Sequence, residues 1–203
     1  MLLKIGLTFY PFFLMNKIFN NYFNEKNSRN MVASTHALVS VFLNGMYMLL
    51  GNDMLGLVSL YWSFGYFAFD VYYIIYYEKM NFLRSVYLYH HLASMYMISY
   101  NHLIPASNQL IFYGELSNLP SYVVYHFMHT DSQDVCTDII VKMFKKIQKV
   151  VYGVIRIPIM TSILINLINT LDFNDPEILK MFAITSPVYL MGLVWSFKLI
   201  INK

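Results

Sequence analysis

The chain has 203 residues, of which 58% are hydrophobic and 12% charged, and its mean hydropathy is +0.48. Soluble domains carry about 25% charged residues, so this balance excludes an ordinary soluble domain and points to a chain solvated by lipid. The net charge of +3 is scattered over connecting segments and leaves no nucleic-acid footprint, while a single cysteine, Cys136, excludes an intrachain disulfide framework.

The first apolar window is 3–19. Its run from Ile5 to Met15 lacks a small-residue cleavage site and is followed by Asn16, Lys17 and Phe19. It reads as a retained first span rather than a cleaved signal peptide. Further windows of the length a membrane requires follow at 31–50, 54–77, 83–101, 104–128, 150–171 and 180–201. A break falls near His102–Pro105. No stretch alternates as a strand would, and helices are the remaining way to satisfy a backbone in lipid. The expected fold is an all-α multi-pass integral membrane protein with about seven transmembrane helices.

Basic residues give this count an orientation. The segments following the first, third, fifth and seventh windows hold eleven of the fourteen lysines and arginines. Positive charge marks the cytoplasmic side, so the C-terminus is expected there and the N-terminus on the lumenal or external side. The connection between the fifth and sixth windows has helical spacing. Ile139, Ile140, Met143, Ile147 and Val150 fall on one side, with Lys142, Lys145, Lys146 and Lys149 around the other. Two readings stand: an interfacial helix on an anionic leaflet, or a basic loop that fixes topology. Cys136 reads as an incidental thiol.

Ionisable side chains inside apolar spans are costly, and they face a bundle interior or a wet cavity with a partner. The windows contain His36, Asp70, His90, His91, Glu115, His126 and Arg156. On the third, Ser63, Tyr66, Asp70, Tyr73 and Tyr77 share one helix face. Asp70 there either orients a histidine, pairs with Arg156, or clamps helices together. On the fourth, Arg84, Tyr87, His91 and Ser94 share a face. Adjacent His90 and His91 diverge by about 100°, so one can point at a central cavity while the other needs a partner helix. Such a pair can act as base and proton shuttle. It converges poorly on one metal ion, and neither HExxH nor a cysteine cluster is present.

On the fifth window, Glu115, Asn118 and Tyr122 lie near one face. Pro120 should bend that helix and free backbone groups for polar side chains. Glu115 is expected to be protonated, paired with a histidine, or structural. In the sixth, Arg156 precedes Pro158 and must pair or snorkel. Asp70 and Glu115 are the available acids, and a lipid acyl or phosphate group would also serve. His36 reads as a packed, hydrogen-bonded histidine beside Ser40, and His126 receives no role.

The stretches NSRNMVASTHALVSVF (27–42), GYFAFDVYY (65–73), YHHLAS (89–94), GELSNLPSYVVYH (114–126), VYGVIRIPIM (151–160) and GLVWSFKLI (192–200) follow in a characteristic order. In that order the chain resembles the TLC-domain family, which includes ceramide synthases, Tram proteins and small TLC-domain-containing proteins. The resemblance covers most of the chain from about residue 28. It implies an N-terminal helix and loop over 1–27 and a six-helix TLC domain over 28–203, enclosing a lipid-accommodating cavity. It also implies residence in the endoplasmic reticulum. His90 and His91 match the histidine pair that ceramide synthases use for acyl transfer from acyl-CoA to a sphingoid base. Those synthases continue to a His-Asp-x-Ser-Asp element. Here the corresponding residues are Gly114, Glu115, Leu116, Ser117 and Asn118. The homeobox-like insertion of many animal synthases is also missing, and GELSN resembles the small TLC-domain-containing branch.

Two functions follow as expectations. The first is a membrane protein that binds lipid and adjusts membrane composition, with Tyr66, Asp70, Glu115, Ser117, Asn118 and Arg156 as polar groups of its cavity. The second is an N-acyltransferase. There His90 or His91 takes the amine proton as nitrogen attacks an acyl thioester, and Ser117 or Tyr66 steadies the oxyanion. A cargo or translocation factor is a third. Membrane lipid is the expected partner, and no cofactor is called for beyond acyl-CoA as a possible substrate.

Overall fold

A computed structural model describes residues 2–100, 104–130 and 134–201. The described residues form helices and the short links between them. In chain order these are α1 (Leu2–Phe19), α2 (Glu25–Leu50), α3 (Asp53–Tyr77), α4 (Phe82–Ile98), α5 (Ile104–Met128), α6 (Val135–Val151), a π-helical segment (Tyr152–Ile159), α7 (Met160–Thr170) and α8 (Pro176–Ile201). Each apolar window contains a helix. Of the break expected near His102–Pro105, His102 lies outside the described residues, and Pro105 sits in the first turn of α5.

Asparagines and one aspartate start four of the helices. Asn24 accepts from the amide of Asn27, Asn52 from Met54, Asn81 from Arg84, and Asp134 from Thr137. Each satisfies an amide that the helix start leaves without a partner. Gly51 ends α2 in the left-handed conformation with φ 63°, and its amide reaches Tyr47 O. That geometry favours glycine and allows the sharp turn into α3.

Among the described residues, four helical stretches are long and apolar enough to cross a membrane: Glu25–Leu50, Asp53–Tyr77, Val135–Thr170 and Pro176–Ile201. The third joins α6, the π-helical segment and α7 into 36 continuous residues. Such a helix is roughly 54 Å long, well beyond a hydrocarbon core of about 30 Å. The connection at 135–149 is therefore helix rather than loop, and none of the residues of α6 is buried. Its apolar side, Ile139, Met143, Ile147 and Val150, is exposed.

The distribution of polarity is that of a bundle in an apolar solvent. Among the described residues, fifteen polar or charged ones are buried against sixteen apolar ones, while Phe42, Leu49, Leu92, Val154 and Leu190 face outward. In water this arrangement would leave a large exposed apolar surface and many desolvated polar groups. In lipid, small polar residues are what hold helices together.

α2 packs along α5 and α3, α1 covers α3, and α4 bridges α3 to α8. The α1–α3 contact is close because Gly65 has no side chain: a Cβ there would lie 2.2 Å from Thr8 O. Phe12 is fully buried beside Trp62, Tyr66 and Phe69. Asn24 and Asn27 both donate to His129 O, at 3.0 and 3.1 Å, which ties the start of α2 to the end of α5.

Proline shapes the long helical stretch Val135–Thr170. Pro158 has no N–H for the helical ladder, and its ring crowds the carbonyl one turn earlier. The backbone widens to a π-helix around it. Arg156 and Tyr152 both lie in this segment.

Candidate functional site

The helices enclose a cavity of about 850 Å³. Its lining comes from α2, α3, α4, α5, the π-helical segment, α7 and α8. One end is polar: Glu25 and Arg29 of α2, Glu78 after α3, and Arg84 of α4 lie there. The other end is apolar, lined by Met97, Leu164, Leu167 and Phe182. The volume and the few convergent polar groups are those of a small-ligand site.

Asp70 is the hub of the polar end. It is 4% exposed. Its Oδ1 accepts from Arg29 Nε at 3.0 Å and Nη2 at 2.8 Å, and its Oδ2 lies 3.0 Å from His91 Nε2. Arg29 also pairs with Glu78, which in turn pairs with Arg84. The guanidinium of Arg29 sits 4.9 Å from the Tyr73 ring centre, and the Tyr73 hydroxyl donates to Glu25. An alternating chain of acids and bases thus runs from the mouth to His91. Charges this far from water are tolerated because each has an opposite partner.

The two histidines do diverge. His91 turns to Asp70 and is buried, while half-buried His90 lines the cavity beside it, with ring centres 5.3 Å apart. With its Nε2 on Asp70, His91 keeps Nδ1 for other chemistry, but that atom is buried and has no partner among the described residues. Both imidazoles line the cavity, and His90 is the more exposed of the two.

Glu115 sits beside a different histidine from either of these. His36 Nδ1 is 3.9 Å from Glu115 Oε1, and Tyr122 donates to Oε2 at 3.3 Å. His36 stacks on Tyr66 at 4.0 Å and bonds Ser40 at 3.1 Å, and Ser40 contacts Ser63 at 3.2 Å. Tyr66 belongs to this packing as well as to the cavity wall.

Of the partners open to Arg156 from the sequence, the two acids are not used. Neither Asp70 nor Glu115 forms an ion pair with it. Asp70 is committed to Arg29 and His91, and Glu115 lies against His36. Arg156 instead donates from Nε to Ser117 Oγ at 2.8 Å, and from Nη2 to Asn118 Oδ1 at 2.6 Å and Gly114 O at 3.4 Å. Tyr152 donates to the same Asn118 oxygen at 2.9 Å, and its ring faces the guanidinium. The Ser117 hydroxyl donates to Gly114 O at 2.7 Å. Its hydrogen is spent on the backbone, so it does not serve as an oxyanion donor in this arrangement. The polar groups near Pro120 thus satisfy Gly114 O rather than Leu116 O, the carbonyl that Pro120 leaves without its helical donor.

Five of the eight expected residues therefore gather in two groups: Ser117 and Asn118 with Arg156, and His91 with Asp70. Arg29, Glu78 and Tyr152 are additions that the sequence did not single out, and Tyr73 of the Asp70 face joins them. Among the described residues, no three His, Cys, Asp or Glu side chains converge on a point that could hold a metal.

No family model matches the chain, and no curated protein or solved structure does either.

Proposed function

We propose that the chain is a multi-pass membrane protein of TLC type that holds a membrane lipid in the cavity between its helices and so adjusts membrane composition. The cavity carries this reading: a polar, charge-paired end continuous with an apolar end, inside a bundle whose outer surface is apolar. An amphiphile fits both halves, and a small polar metabolite would leave the Leu164–Leu167–Phe182 end unfilled. Seven spans with a cytoplasmic C-terminus agree with the eleven basic residues on one side. Residence in the endoplasmic reticulum follows from the resemblance alone.

Gly114 provides a test. It lines the cavity, and a Cβ there would meet nothing within 4 Å. Gly114→Leu should fill the cavity while leaving the helices in place. Lipid extracted from the purified chain and identified by mass spectrometry should be retained by the native protein and reduced several-fold in this variant. Equal retention, with the variant folded, would count against a lipid in the cavity.

The Asp70–His91 pair favours a second reading, an N-acyltransferase. In that reaction a sphingoid amine nitrogen bonds to the thioester carbonyl carbon, and the C–S bond breaks. A histidine takes the amine proton and returns it to the departing CoA thiolate. His90, which reaches the cavity, is placed to do this, with His91 held beside it by Asp70. The assay is ceramide formation in membranes from cells lacking their own synthases, given labelled sphingoid base and acyl-CoA. Product that vanishes in His90→Ala and His91→Ala at unchanged protein level supports the enzyme. No product at any acyl length leaves lipid holding as the function.

A further inference from the structure

Arg156 differs from the other arginines of the cavity. Arg29 is held by Asp70 and Glu78, and Arg84 by Glu78. Among the described residues, no Asp or Glu pairs with Arg156. Ser117, Asn118 and Gly114 O hold it by Nε and Nη2, and Tyr152 lies 4.5 Å from it. These groups fix the plane of the guanidinium, and Glu115 acts on it only at longer range, without a contact ion pair. A cation in a low-dielectric interior is costly until an anion completes it.

Space remains for that anion. Gly114 and Gly192 both line the cavity around Arg156. A Cβ at Gly114 would meet nothing within 4 Å, and one at Gly192 would meet Arg156 Nη1 at 3.9 Å. The bare backbone leaves the guanidinium approachable, and its planar fork suits the paired oxygens of a phosphate or carboxylate. Met160, Leu164 and Leu167 continue the wall beyond Arg156, with Phe182 lining the same apolar end. Arg156 to Leu167 covers roughly 16 Å of helix, room for much of an acyl chain.

We propose that Arg156 anchors the oxyanion head, phosphate or carboxylate, of an amphiphile whose apolar chain lies along α7 and α8. The proposal rests on the lipid-holding reading and narrows it to an anionic ligand. An amine placed against Arg156 would meet a like charge, so the sphingoid base of the alternative reading would have to sit elsewhere.

The test uses the purified full chain and four probes: dioleoyl phosphatidic acid, oleate, dioleoylglycerol and inorganic phosphate. The native chain should bind phosphatidic acid or oleate at least tenfold more tightly than dioleoylglycerol, and Arg156→Gln should erase that preference. Which of the two is preferred identifies the phosphate or the carboxylate as the head. Equal binding of all three lipids, or a preference that survives in Arg156→Gln, overturns the anchor while leaving the lipid cavity in place. Binding of inorganic phosphate with no lipid preference overturns the amphiphile. Binding of no lipid overturns both this proposal and the function it rests on. If Arg156→Gln fails to fold, Gly192→Leu keeps the charge and blocks the approach to Nη1. It should lose the same preference, and a folded variant that retains it overturns the proposal.

Discussion

His91 Nε2 lies 3.0 Å from Asp70 Oδ2, and the other oxygen of the same carboxylate is held by Arg29. One buried acid therefore joins α2, α3 and α4. Its histidine is fixed in orientation, and the neighbouring His90, with no carboxylate partner among the described residues, lines the cavity beside it. This arrangement serves either a lipid-binding wall or a proton-transfer site, and it makes the polar end of the cavity depend on Arg29.

Removing that arginine should be more damaging than its position near a helix end suggests. Arg29→Met leaves Asp70 and Glu78 without their shared cation. Breaking a buried pair costs about 3–5 kcal/mol, and the partial exposure of Arg29 places the expected loss near the lower figure. Thermal unfolding in detergent should show a clear drop for Arg29→Met. Arg29→Met combined with Asp70→Leu should recover part of it, since no unpaired acid then remains at that position. Additive losses in the double variant would mean that the two residues are not coupled.

Two glycines should respond in opposite ways to a larger side chain. At Gly65 an added Cβ meets Thr8 O at 2.2 Å, so α1 and α3 must move apart. At Gly114 it meets nothing. Gly65→Ala should lower thermal stability by about 1–3 kcal/mol, the usual range for overpacking. Gly114→Ala should be neutral or slightly stabilising, because alanine is the better helix former. Equal effects at the two sites would contradict the close approach of α1.

The orientation can be read with a glycosylation tag. A tag after residue 203 should remain unmodified if the C-terminus is cytoplasmic, and one placed before residue 1 should be modified if all seven windows span. Modification of the C-terminal tag would reverse the orientation. A pair of unmodified tags would remove one span from the count.

Much of the site was legible in the sequence because membrane solvent makes charges informative. The stripe through Ser63, Tyr66, Asp70 and Tyr73 marked a buried face, and His91 was placed on a face with Tyr87 and Arg84. Ser63, Tyr66, Asp70, Tyr73 and His91 are buried, and His91 meets Asp70. Arg29 was not legible as a site residue. The apolar window began at 31, whereas α2 starts at Glu25, so Arg29 is one turn inside the helix rather than in a loop. A lone acid in a span does call for a cation, and the window boundary hid Arg29, which lies far from Asp70 in the chain. Arg156 needs partners by the same reasoning, with acids, a lipid head group and snorkelling all open from the sequence, and in the fold Ser117, Asn118 and Gly114 O hold it. Pairing across helices depends on helix order and rotation, and these are not encoded locally. The segment at 135–149 had helical spacing, yet its continuity with the next span depends on how the backbone passes Pro158, where it widens instead of breaking.

The central claim is that lipid occupies the space inside the bundle rather than only surrounding it. A photoactivatable lipid with its reactive group midway along an acyl chain tests this directly, with labelled peptides mapped by mass spectrometry. Labels are expected on the cavity residues Leu164, Leu167 and Phe182, reduced by Gly114→Leu. Labels confined to outward residues such as Phe42, Leu190 and Val194 would contradict it.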